Sequence, residues 1–239
     1  MSANHAMALG ALLIGLGAGL SASGGFAASL TASSEALTPY RTCVVTATPS
    51  STTLVIDAVV GQSNPNTNYG SINTMEVTSQ TTSNRRVHIR FDLSGCTPAI
   101  PSGATIRLAT LRLYATGFPN GCRTVDIFRV TASWTETGVT WLTQPFGVTL
   151  NNPPTGQRSD SYNIGTSGSC ENATAGYISG ADVTSDVAAF IAGTATNYGW
   201  MLRDDSEGSG SARTSTYSTK NLGTLAEAPQ LVVTYVTVP

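Results

Sequence analysis

Residues 85–93 read "RRVHIRFDL", and this stretch decides the fold. Val87, Ile89, Phe91 and Leu93 alternate with Arg86, His88, Arg90 and Asp92. A period of two is the mark of a β-strand with one apolar face. Upstream, "TLVIDAVV" (Thr53–Val60) is rich in β-branched residues, and "NPNTNYGS" (Asn64–Ser71) breaks the run before "TMEVTSQ" resumes it. Downstream, "PSGA" and "FPNG" separate "TIRLATLRLYATG" (Thr105–Gly117) from "RTVDIFRVTASW" (Arg123–Trp134), and "QLVVTYVTV" closes the chain. Short β runs punctuated by turns predict an all-β sandwich or barrel. One segment differs. In "ADVTSDVAAFIAG", Val183, Val187, Phe190 and Ile191 form a single helical stripe, with Asp182 placed to cap its start and Gly193 to end it.

The chain has 239 residues and a formal net charge of −2. That charge provides no basic field, so nucleic acid is not an expected partner. Polarity comes mainly from Thr, Ser and Asn, and Lys220 is the only lysine among the 12 basic residues. The apolar run from Ala6 to Leu20, followed by Gly25-Phe26-Ala27, reads as a signal peptide over 1–27. Residues 28–52 then form a linker or lead-in strand, and 53–239 one folded domain, with no membrane segment left after cleavage. Cys43, Cys96, Cys122 and Cys170 lie far apart, without a CxxC pair. In an exported chain they predict two disulfides rather than a metal site. Three pairings are open, and Cys43–Cys96 with Cys122–Cys170 is the favoured one. Asn172-Ala173-Thr174 is an N-glycosylation sequon.

The tetrapeptide TNYG occurs at Thr67–Gly70 and again at Thr196–Gly199, with unrelated neighbours. Duplication would carry the neighbours along, so the two copies read as separate loop anchors. The order "PNTNYGS", "RRVHIRFDLS", "GATIRLATLRLYATG", "VDIFRVTASWTETGVTW", "DVTSDV", "NYGWML", "APQLVVTY" resembles the DNRLRE-type domain over roughly Thr53 to Val236. Members of that family are similar to the carbohydrate-binding modules of alginate-degrading enzymes. The resemblance implies a jelly-roll β-sandwich with one short helix and a noncatalytic, glycan-related role. Three places depart from its pattern, one of them His88, where an aliphatic residue is commoner. Phe190 stands where Trp is common, and "YSTKNLG" lacks an Arg–Glu pair.

No HExxH, GxSxG or phosphate loop is present, and His88 is the only histidine after residue 27. The expectation is therefore a protein that is not an enzyme. Arg86, His88 and Arg90 share one strand face, which Arg112 and Tyr114 extend if their strand joins the same sheet. Guanidinium forks beside a tyrosine ring suit an acidic polysaccharide. The bland reading of that row is a solvated face of ion pairs. Trp134, Trp141 and Trp200 read as core. Asp57 with Asn66 and Asn68 offers oxygen ligands for a structural Ca²⁺, although Asn in loops usually serves turns. No other cofactor is implied.

The leading expectation is a secreted, extracellular, carbohydrate-binding jelly roll. One alternative is a structural subunit of a filament or matrix, a homo-polymer formed through the N-terminal segment containing "CVVTATP". The other is a polysaccharide-degrading enzyme on the same scaffold.

Overall fold

The computed structural model describes residues 39–167 and 169–237. The expected signal peptide, 1–27, and residues 28–38 of the expected lead-in lie outside the described residues. No described helix is long and apolar enough to cross a membrane.

The chain forms an all-β sandwich of two antiparallel sheets. Its strands are β1 (Arg41–Thr46), β2 (Val55–Gly61), β3 (Thr74–Ser79), β4 (Arg85–Phe91), β5 (Thr105–Arg112), β6 (Tyr114–Gly117) and β7 (Cys122–Arg129). They continue as β8 (Asp160–Gly165), β9 (Gly176–Tyr177), β10 (Ala181–Asp182), β11 (Trp200–Asp204), β12 (Arg213–Ser218) and β13 (Gln230–Val236). A four-stranded sheet has the order β1-β13-β5-β10. A nine-stranded sheet runs β8-β7-β11-β4-β3-β12-β6-β9, with β2 paired to β4 off that path. The stretch that opened the reading, β4, sits mid-sheet. It pairs with β2 from Val55↔Phe91 to Gly61↔Arg85, and with β11 from Trp200↔Ile89 to Leu202↔Val87.

Alternation along the strands builds the core between the sheets. Val87, Ile89 and Phe91 of β4 meet Val125, Ile127, Trp200 and Leu202 on one side and Leu111, Leu231, Val233 and Tyr235 on the other. Each large side chain buried there contributes about 1.5–3 kcal/mol. Between Arg112 and Tyr114 the chain crosses from one sheet to the other, and Leu113 fills the corner with no exposure.

The helix α1 (Thr184–Ile191) lies over this core through Val187. Its Thr184 hydroxyl accepts the Ala109 amide of β5 at 2.9 Å. Asp182 takes the Thr184 amide at 2.8 Å, and Gly193 leaves the helix with φ +70. The stop signal operates as expected, while Val183 holds the N-cap position and Asp182, one residue before it, takes the first helical amide.

Cys43 is bonded to Cys96 and Cys122 to Cys170, closing loops with sequence separations of 53 and 48. On the chain-entropy model each bridge stabilises by about 4 kcal/mol. The first ties β1 to the body of the domain. Residues 41–46 pair with β13 of their own chain, and β1 is an edge strand of the four-stranded sheet. Asn172 is likewise engaged. Its side-chain amide donates to the Asn163 carbonyl at 2.7 Å, and its Oδ1 accepts the Ser179 amide at 2.8 Å. The folded sequon therefore has its acceptor nitrogen turned inward.

Candidate functional site

The face of the nine-stranded sheet that carries Arg86 and His88 is not open. After β7 the chain folds back over it, and a second apolar cluster forms from Phe128, Val130, Trp134, Val139, Trp141 and Met201 with Ala58 and Val60. Arg86 and His88 lie beneath this cover with no exposure. The alternation in β4 was read correctly, but its polar phase faces a second core instead of solvent. This corrects the expected ligand face at those two residues.

Arg86 organises the cover. Its Nε and Nη2 donate to Glu207 Oε1 and Oε2 at 2.7 and 2.8 Å. Nη2 also reaches the Thr149 carbonyl at 2.7 Å, while Nη1 donates to the Gly147 carbonyl at 3.0 Å and Gln144 Oε1 at 3.2 Å. The guanidinium stacks 4.8 Å from the Trp141 ring. Every N–H is satisfied, which is what burial of a charge requires. His88 packs edge-on to Trp134 with ring centroids 5.6 Å apart. Burial, and then the nearby Arg86 charge, push its pKa down to about 3, so the ring is neutral.

The two TNYG turns use one device. Asn68 accepts the Gly70 amide at 3.1 Å and donates to the Glu136 and Val139 carbonyls. Asn197 accepts the Gly199 amide at 3.0 Å and donates to the Phe91 carbonyl at 2.9 Å. A Cβ at Gly70 would collide with the Glu136 carbonyl, and one at Gly199 (φ +74) with the Ile89 carbonyl. The first turn thereby pins the covering loop, and the second pins the entry to β11.

The three residues considered for Ca²⁺ have different surroundings. Asn66 is exposed, and Asn68 is occupied as described. Asp57 instead lies beside Lys220 and Glu136, with Lys220 Nζ 2.7 Å from Glu136 Oε1 and the Lys220 amide donating to Asp57 Oδ2 at 3.3 Å. Among the described residues no cluster of three His, Cys, Asp or Glu fits a metal ion.

Burial is the main force raising the Asp57 pKa, from 3.8 to about 7. The folded chain therefore binds this proton more tightly than the unfolded one. Its stabilising share is complete below the unfolded pKa and is lost as pH rises through about 7. Asp57→Asn should gain on the parent between about pH 4.5 and about pH 8, read as urea midpoints. A gap that stays constant across that range contradicts this account.

The five residues expected to share a ligand face are dispersed. Arg90, partly exposed, lines a cleft of about 310 Å³ with Asn197 and Asp92. Arg112 and Tyr114 stay together at the corner between the sheets, both against Tyr177.

A larger cleft lies elsewhere, at the end of β7. It measures about 470 Å³ and is walled by Phe128, Arg129 and Thr131, by Phe146 and Pro153 of the covering loop, by Gln157, Arg158 and Ser159, and by Ser185 and Asp186 of α1. The Arg129 and Arg158 side chains are 38% and 42% exposed. Each is steadied from behind by a carboxylate. Arg129 Nη1 is 3.5 Å from Asp186 Oδ1, and Arg158 Nη1 is 3.2 Å from Asp126 Oδ1. Asp186 is fixed in turn by Trp200 Nε1 at 2.8 Å and the Ser159 hydroxyl at 2.5 Å. Two guanidinium groups, an exposed Gln157 amide and an aromatic wall thus face one opening. A smaller cleft of about 210 Å³, lined by Thr196 and Tyr198, continues beyond Arg129.

A model of carbohydrate-binding module family 96 matches residues 48–235. The chain belongs to that family. No curated protein matches it. Clefts of this kind, with a few convergent polar groups on an apolar wall, are the usual form of small-ligand sites. On this family 96 module the cleft offers the Arg129, Arg158 and Gln157 donors, while Asp160 and Asp182 line a separate pocket of about 210 Å³ that shares Ser159, Ser185 and Asp186 with it.

Sequence reasoning missed Arg129 and Arg158. Arg129 has the parity of Val125 and Ile127, which are core residues, so the pattern assigns it inward. The available signal was a charged residue in the core phase at a strand's end. Arg158 sits in "PPTGQRSD", where nothing but composition was readable.

Proposed function

We propose that this family 96 module binds an acidic polysaccharide outside the cell, without cleaving it, in the cleft between Arg129 and Arg158. The observation that carries the reading is this pair of half-exposed guanidinium groups facing one opening beside Gln157 and Phe146. Planar forks match carboxylates in two-point contact, and an aromatic wall suits the apolar face of a sugar ring. The carboxylates nearest the cleft do not suit acid–base work on a sugar bond. Asp186 accepts from Trp200 and Ser159, and Asp126 is buried against Arg158 and Arg203. Two disulfides fit an oxidising compartment. The resemblance of the motif order to the DNRLRE-type domain supports the same reading.

Native electrophoresis through gels containing polygalacturonate, alginate or neutral glucan tests the reading. The module should be retarded by an acidic gel at low salt and released as ionic strength rises. Equal mobility in acidic and glucan gels contradicts it.

A further inference from the structure

The corner between the sheets carries a second cationic group set up for a ligand. Arg112 lies 4.7 Å over the Tyr177 ring, and its Nη1 donates to Gln230 Oε1 at 3.3 Å. Tyr177 is itself fixed, donating its hydroxyl to the Ala226 and Ala228 carbonyls at 2.7 and 2.9 Å. Tyr114 meets that ring edge-on at 5.3 Å. No carboxylate lies within ion-pair distance of Arg112 among the described residues. Of the described arginines lacking such a partner, Arg112 is the one held by both a ring and a side-chain amide. Its remaining donors are therefore oriented yet unused, and a ligand that takes them faces little ordering cost.

The corner is electrostatically separate from the cleft. Asp182 pairs with Thr110, two residues from Arg112, and together with Asp160 lines a pocket that adjoins the cleft at Ser159, Ser185 and Asp186. A polyanion passing these carboxylates on its way between the two arginine sets would be repelled by like charge.

We propose that Arg112, with Tyr177, Gln230 and Tyr114, forms a second anionic-sugar site, so that one module engages two acidic chains. This rests on the acidic-glycan reading of the module. The two sites would make the module a cross-linker of its polysaccharide, with avidity exceeding either contact alone.

Calorimetric titration of the full chain with tetragalacturonate tests it, using Arg112→Ala, the pair Arg129→Gln with Arg158→Gln, and all three changes together. Two ligands per module are expected for the parent, one for Arg112→Ala, one for the cleft pair and none for the triple variant. Truncation should weaken the corner site roughly tenfold or more, as loss of a charge-assisted contact does. Circular dichroism and unchanged melting of each variant exclude a folding defect. A single parent site that Arg112→Ala leaves intact and the cleft pair removes overturns this inference alone. A single site removed by Arg112→Ala and indifferent to the cleft pair overturns the cleft reading instead. Absence of binding overturns both.

Discussion

Replacing Arg86 by alanine should lower the unfolding free energy by about 3–5 kcal/mol, the usual cost of stranding one partner of a buried ion pair. Glu207 would be left at no exposure with its bidentate partner gone, keeping one donor, the Asn151 amide at 2.7 Å. The Gly147 and Thr149 carbonyls would lose their donor at the same time, and the Trp141 ring its stacked cation. For a domain of this size the melting temperature should fall by roughly 10 °C. Arg86→Lys should recover little. A single ammonium cannot span both Glu207 oxygens and the two carbonyls, and it lacks the planar fork. Urea unfolding of the three proteins decides the point. A loss below about 1 kcal/mol would mean the guanidinium is a surface group after all.

That residue also shows where sequence reading stops. The period of β4, the β-rich segments around it, the helical stripe at Val183–Ile191 and the core placement of the three tryptophans were all legible, because each follows from local periodicity or side-chain size. The fate of the polar face was not. A strand pattern separates two faces but does not say what covers either one. Here a loop carrying Trp134 and Trp141 covers the face that reads as solvent-exposed. The signal was present in that loop's two large aromatics, which need a surface to bury against. Arg112 and Tyr114 were paired correctly as neighbours, but their partner Tyr177 comes from a two-residue strand too short to register. The cleft was invisible for a different reason. Its walls come from five separate segments, and only the closed sandwich brings them together.

Changing Arg129 and Arg158 together to glutamine should weaken binding of an acidic oligosaccharide at the cleft roughly a hundredfold. Each lost charge-assisted contact is worth about 1.5–3 kcal/mol, and 1.4 kcal/mol is a factor of ten. Glutamine keeps a donor toward Asp186 and Asp126, so stability should move little. Both arginines are half-exposed, Asp186 keeps its Trp200 and Ser159 donors, and the buried Asp126 keeps Arg203 Nη2 at 3.8 Å. Binding and folding therefore separate in this variant, whereas Arg86→Ala couples them through the covering loop. The residual affinity should also lose much of its salt dependence, since the fixed charges that screening acts on are gone. Titration at two ionic strengths gives both readings. A variant that binds within a factor of about two of the parent contradicts the assignment, because even one such contact exceeds that.

The most direct measurement is an amide chemical-shift map of the ¹⁵N-labelled protein titrated with tetragalacturonate. The account predicts saturable shifts at Phe128–Thr131, Gln157–Asp160 and Ser185–Asp186 for the cleft, and a separate set at Arg112, Tyr114, Tyr177 and Gln230 for the corner. Saturable binding that leaves all three segments unmoved would contradict it.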